Sequence, residues 1–218
     1  GEAAGDQSGK SVSISGDGNT IAIGASHNDG NGNNSGHVRI YEWDGSQWVQ
    51  IGQDIDGEAA VDNSGWSVSM SSDGSIVAIG SINNDGNGGN SGNVRVYENI
   101  NGSWSQIGQD IDGEGNNDES GYAVAISDNG QIVAIGNRGG DPGYVRVFKN
   151  ISDNWILMGQ QIDGSAMKSN FGESVSLSSD GFTLAIGCPE KMNYTGMDSG
   201  HSEIYQFNGS SWNQIGQD

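Results

Sequence analysis

The chain has 218 residues and a formal net charge of −20, from 28 Asp plus Glu against 8 Lys plus Arg, a balance that repels nucleic acid and anionic lipid and attracts cations. Its 38 glycines come with only 2 prolines and no triplet period, which excludes a collagen-like chain. No apolar run is long enough to form a membrane-spanning helix.

The chain reads as four copies of one unit: residues 1–56, 57–112, 113–163 and 164–218, together one domain over 1–218. Each unit opens on a strand, at 11–15, 67–71, 123–127 and 174–178. Val68 and Met70 alternate there with serines, the period of a pleated strand. A tight turn follows, Asp17-Gly18, Asp73-Gly74, Asn129-Gly130 or Asp180-Gly181, which is a strong hairpin signal. The second strand is 20–24, 76–80, 132–136 and 183–187. A long loop rich in Asn, Asp and Gly leads on, at 25–36, 81–92, the short 137–143, and 188–200. The third strand is 37–42, 93–98, 144–149 and 202–207. The fourth is 47–53, 103–109, 154–160 and 211–217, each with one tryptophan: Trp48, Trp104, Trp155 and Trp212. No window has sustained helical spacing.

Four consecutive antiparallel strands at a fixed interval are the signature of a propeller blade. The expectation is an all-β fold, a β-propeller of four four-stranded antiparallel blades. The alternative is half of an eight-bladed ring or a fragment of a larger propeller. The regular return of tryptophan predicts packing between blades, with carbohydrate stacking as the competing role. Cys188, the single cysteine, cannot form an internal disulfide and reads as a small packed residue.

Phe171-Gly172-Glu173-Ser174-Val175-Ser176 followed by Leu184-Ala185-Ile186-Gly187-Cys188-Pro189 resembles the FG-GAP repeat of integrin α-subunit propellers. The other units carry Ser-Gly for Phe-Gly. Gly36-His37-Val38-Arg39-Ile40-Tyr41 and Gly92-Asn93-Val94-Arg95-Val96-Tyr97 resemble the third strand of that family. The resemblance spans all four units and implies a propeller fold. Family members that hold calcium do so in an Asp-rich loop between the first two strands. This chain has one acidic residue or an Asn there, too few oxygens for Ca²⁺.

The second-to-third and fourth-to-first loops fall on one face, the expected working face. Asp29, Asn31 and Asn33, with Asp85 and Asn87 in the next unit, alternate like the start of a calcium loop and are the candidate metal ligands. Such residues also fill turns for conformational reasons. The position after the repeated glycine reads Lys10, Trp66, Tyr122 and Glu173, and these four are the candidate ligand-binding set around the channel mouth. Arg39, Arg95 and Arg146, replaced by Glu203 in the fourth unit, read as structural ion-pair positions. His27, His37 and His201 show no catalytic or metal spacing.

The resulting expectation is a non-catalytic binding or adhesion propeller, extracellular or on the cell surface. It would present its loop-rich acidic face to a glycan or an extracellular protein, with Ca²⁺ as the one candidate cofactor. Nucleic acid and membrane insertion are not expected, and self-association is. A structural assembly module, a piece of a larger ring or filament, is the alternative. A hydrolase with carboxylates in the central funnel is the third reading.

Overall fold

The structure, a computed structural model, describes residues 1–140, 142–165, 170–189 and 200–216. These residues form nineteen strands and no helix. Blade one holds β1 (Ser8–Ile14), β2 (Thr20–Ala25), β3 (His37–Trp43), β4 (Trp48–Gln50) and β5 (Ile55–Asp56). Blade two holds β6 (Ser64–Met70), β7 (Ile76–Ser81), β8 (Asn93–Ile100), β9 (Ser103–Gln106) and β10 (Ile111–Asp112). Blade three holds β11 (Ser120–Ile126), β12 (Ile132–Asn137), β13 (Tyr144–Asn150), β14 (Trp155–Leu157) and β15 (Ile162–Asp163). Blade four holds β16 (Ser174–Leu177), β17 (Thr183–Cys188), β18 (His201–Phe207) and β19 (Trp212–Ile215). The first four strands of every blade pair antiparallel in order, as the sequence predicts. Most of the 188–200 loop lies outside the described residues.

The first hairpin of each blade is pinned by its turn. Ser71 Oγ donates to Asp73 Oδ1 at 2.7 Å, and the Ser75 N–H donates to the same oxygen at 2.9 Å. The Ile76 N–H in turn donates to Ser71 Oγ at 2.9 Å, which closes the loop onto the return strand. Ser15 with Asp17, Ser127 with Asn129 and Ser178 with Asp180 repeat the device. These polar residues therefore hold the turn. Asp73→Ala is expected to cost about 1–2 kcal/mol, read as a lower urea midpoint. An unchanged midpoint would show that the glycine alone sets the turn.

Strand boundaries differ from the sequence reading at both ends of the blade: the first strands of blades one to three begin three residues earlier, at Ser8, Ser64 and Ser120, and the fourth strands end earlier. The fourth strand was expected to run through Gln53, but β4 stops at Gln50. Gly52, at φ +74°, turns the chain. The Gln53 side chain then crosses to the next blade: its Nε2 donates to Trp104 O at 2.8 Å, and the Trp104 N–H donates back to Oε1 at 3.3 Å. The strand resumes as β5, paired with His37 and Val38 of β3. Blade two does the same through Gln109–Trp155 and β10, and blade three through Gln160–Trp212 and β15.

The core lies between blades. Strand alternation sends Ala22, Val38 and Ile40 of blade one forward, onto Val68, Met70, Val77, Ile79 and Trp104 of blade two. Blade two meets blade three, and blade three meets blade four, in the same way. Each buried tryptophan also anchors its indole on the blade before: Trp104 Nε1–H donates to Ile51 O at 3.0 Å, Trp155 to Ile107 O at 2.9 Å, and Trp212 to Met158 O at 2.7 Å. Trp48, in the first blade described, is 41% exposed and lies against Trp43.

The four blades form an arc. β1 packs beside β6, β6 beside β11 and β11 beside β16, and no comparable packing brings β16 back to β1. Val12 and Ile14 of β1 are 69% and 58% exposed, whereas their counterparts Val68 and Met70 in β6 are buried.

Candidate functional site

The inner strands of the arc share an unusual entry. Between Ser8 and Ser11 the pairing of β1 with β2 slips, and the same slip occurs between Ser64 and Ser67 and between Ser120 and Ala123. A glycine at positive φ sits in each slip: Gly9 at +90°, Gly65 at +79° and Gly121 at +85°. This is a bulge with glycine in a left-handed conformation, which re-aims the side chain that follows. A tight turn fixes that residue, the Trp66 N–H donating to Asn63 O at 3.1 Å and the Tyr122 N–H to Glu119 O at 3.1 Å. Lys10 and Glu173 are held in the same way by Gln7 O and Asn170 O. The repeated fold thus delivers one freely chosen side chain per blade to the inner edge.

Those four side chains meet. Lys10 Nζ lies 3.7 Å from the centre of the Trp66 ring. Trp66 and Tyr122 are tilted neighbours with ring centroids 5.6 Å apart. Arg138 lies over Tyr122 with its guanidinium carbon 4.9 Å from the ring centre, and its Nη1 donates to Tyr122 Oη at 3.2 Å. Arg138 Nε stands 3.5 Å from Glu173 Oε2. The result is a ladder, Lys10–Trp66–Tyr122–Arg138–Glu173, that crosses all four blades. Every ladder side chain is exposed or half-buried, so the ladder as a whole is reachable from solvent. Cation–π contacts of this kind are worth about 0.5–1 kcal/mol at exposed sites, enough to order the side chains.

Sequence reasoning found four members and missed Arg138. The signal was present. Arg138 follows β12 directly, at the place held by Ser26, Ile82 and Pro189 in the other units, and in the unit with the short loop.

The candidate metal ligands go elsewhere. Asp29 Oδ1 accepts from the Asn34 N–H at 2.8 Å, and Asp85 Oδ1 from the Asn90 N–H at 2.7 Å. Asn31 Nδ2 donates to Gly57 O and Glu58 O at 2.8 and 3.0 Å; Asn87 does the same to Gly113 O and Glu114 O at 2.8 and 3.2 Å. Asn33 Oδ1 accepts from Asn34 Nδ2 at 3.2 Å. These side chains shape their loops and tie them to the fourth-to-first loop, so both long-loop classes do share one face. A groove of about 280 Å³ lies beside the first of these loops, lined by Glu2, Asp6, His27, Asn28, Asp29 and Asn34, and no ladder residue lines it.

The charged residues of the third strand are largely structural. Arg39 makes a two-pronged bond to Asp54, at 2.9 and 2.7 Å, and pairs with Glu2. That guanidinium holds the Asp54 carboxyl below the usual range. Glu2, His37 and Asp54 bring three potential metal-binding atoms together, but Arg39 already pairs with both carboxylates. Arg95 Nη2 and Arg146 Nη2 donate to the Asp56 and Asp112 carbonyls of the preceding blade, at 2.8 and 2.6 Å. Glu203 accepts from Tyr205 Oη and pairs with His201. His27 Nδ1 lies 3.0 Å from Ser26 Oγ.

The FG-GAP repeat model matches residues 1–41, in agreement with the resemblance read from the sequence. No curated protein matches the chain. Among solved structures, the periplasmic gluconolactonase of Pseudomonas aeruginosa is similar with a TM-score of 0.63 at 15% identity, over 94% of this chain and 56% of that one. A putative 6-phosphogluconolactonase from Bacteroides uniformis reaches 0.61 at 15% identity, over 94% and 52%. The β-propeller domain of the Trilobed protease from Pyrococcus furiosus, described as having an open velcro topology, reaches 0.54 at 10%, over 95% and 56%. The chain thus spans about half the length of these structures. At such identities the likeness shows the fold, an all-β propeller. It also corrects one expectation. The sequence reads as non-catalytic from its all-repeat architecture, its strong acidity, its one loop-rich face and the lack of a recognisable catalytic constellation, yet proteins described as lactonases are built on this architecture. A repeat propeller is therefore no argument against catalysis.

Proposed function

We propose that the chain is a ligand-binding propeller module whose contact surface is the ladder, and that the ligand is an acidic saccharide met at or outside the cell surface. The observation that supports this reading is the pairing of Trp66 and Tyr122 with a cation at each end. Aromatic faces stack on the apolar face of a sugar ring, and Lys10 and Arg138 can receive its carboxylates. Only 8 Lys and Arg occur in the whole chain, and two of them stand on this platform, which gives an otherwise repulsive surface a place for an anion. A neutral sugar would use the rings and give Lys10 no counter-charge.

The test is calorimetric titration with a galacturonate trisaccharide and with a neutral trisaccharide of the same length. Ca²⁺ is present in one series and absent in another, because Asp29 and Asp85 are exposed carboxylates near the loops. Trp66→Ala should weaken uronate binding by about 1–3 kcal/mol without moving the thermal midpoint. Equal affinity in parent and variant would remove the ladder as the site. Equal affinity for both trisaccharides would remove the acidic ligand.

A further inference from the structure

Two of the three blade interfaces are built from the same polar parts, the third has Ala123 and Ala125 in their place, and both halves of a fourth are present but unjoined. The forward half of blades one and two carries serine hydroxyls on its first strand. Ser11 Oγ donates to Gly65 O of blade two at 2.8 Å, and Ser67 Oγ to Gly121 O of blade three at 2.7 Å. Ser13 Oγ accepts from the Met70 N–H at 3.0 Å, and Ser69 Oγ from the Ile126 N–H at 3.1 Å. Blade four carries the same pair, Ser174 and Ser176, and both face solvent. Its Ala185 and Ile204 are half-buried, although Ala22, Ala78 and Ala134 at the first of these positions are fully covered.

Blade one carries the receiving half, also open. Val12, Ile14 and Trp48 stand where Val68, Met70 and Trp104 are buried in blade two. A methyl at Gly65 or Gly121 would run into the preceding blade, whereas one at Gly9 would meet nothing within 4 Å.

We infer that these two faces join each other between two copies of the chain, blade four of one copy docking on blade one of the next. The occupant is a second copy because each face lacks what the other supplies: serine hydroxyls and a flat Ala185 surface on one side, an open Gly9 carbonyl and the Val12–Ile14–Trp48 patch on the other. One arc covers 52–56% of the length of the three structures named above, so two such arcs sum to about the length of one such chain. A head-to-tail contact that closes on itself limits assembly at two and leaves no open face to polymerise.

The experiment is sedimentation velocity on the chain and two variants, Ile14→Glu and Ala185→Arg, with circular dichroism to confirm that each is folded. The parent should sediment at twice its 22.7 kDa mass, and each variant as a monomer with an unchanged spectrum. A third variant, Val61→Glu on an exposed loop, should remain dimeric. A monomeric parent across the concentration range overturns the inference and leaves a further repeat of a longer array as the natural occupant. A dimer lost in Ile14→Glu but kept in Ala185→Arg also overturns it, since blade one would then be pairing with itself.

Discussion

Trp104→Ala should lower the stability of the chain by about 3–5 kcal/mol, while Trp48→Ala, the same substitution at the same repeat position, should cost far less. Trp104 is 4% exposed, packs into the core between blades one and two, and donates its indole N–H to Ile51 O at 3.0 Å. Removing it opens a cavity and leaves that carbonyl without its partner. It also frees one side of the Gln53 bridge that crosses the same interface. Trp48 loses only its contact with Trp43. Urea titration of both variants reads the difference. Equal losses would mean that the tryptophans stabilise their own blades rather than the contact between blades. Below the concentration at which two copies associate, the comparison concerns the isolated arc alone.

Gly80→Ala should also be damaging, for a different reason. A methyl at Gly80 would sit 3.0 Å from the Gly121 carbonyl carbon and closer still to its oxygen. The obstacle is backbone of the next blade, held by Ser67 Oγ at 2.7 Å, so no rotamer change relieves it. The two blades must separate or the strand must bend, a cost of about 1–3 kcal/mol for overpacking, with loss of the Ser67 bond on top. The expected result is a lower thermal midpoint and faster amide exchange in both β7 and β11. Exchange confined to β7 would show that the strand yields and the interface does not.

Much of the fold was legible because the repeats make each signal appear several times. Period-two alternation with a serine or alanine on the second face marked the inner strands, and Asp73-Gly74 marked the hairpin. What the sequence hid was the break in the fourth strand. Ile-Gly-Gln-Asp-Ile-Asp reads as one extended run until Gly52 is seen at positive φ with Gln53 reaching across to Trp104. Of the candidate site, the set Lys10, Trp66, Tyr122 and Glu173 was readable as four unlike residues in a fixed frame. Their convergence was not, because it depends on the bulge at Gly9, Gly65 and Gly121 and on Arg138, which a repeat comparison passes over. The Asn and Asp loops misdirect for a physical reason. Side chains that can bind a cation are also those that cap turns, and in these loops the turn bonds take them.

Three aromatic pairs with exposed or half-buried rings compete for any sugar: Trp66 with Tyr122 on the inner edge, Trp43 with Trp48 on the outer part of blade one, and Phe182 with Phe207 on blade four. The most direct measurement is therefore a crystal structure of the chain with the galacturonate trisaccharide bound. The account predicts a sugar ring stacked on Trp66 or Tyr122, with a carboxylate in hydrogen-bond distance of Lys10 or Arg138. A trisaccharide ordered over Trp43 and Trp48, with the ladder bare, would contradict it.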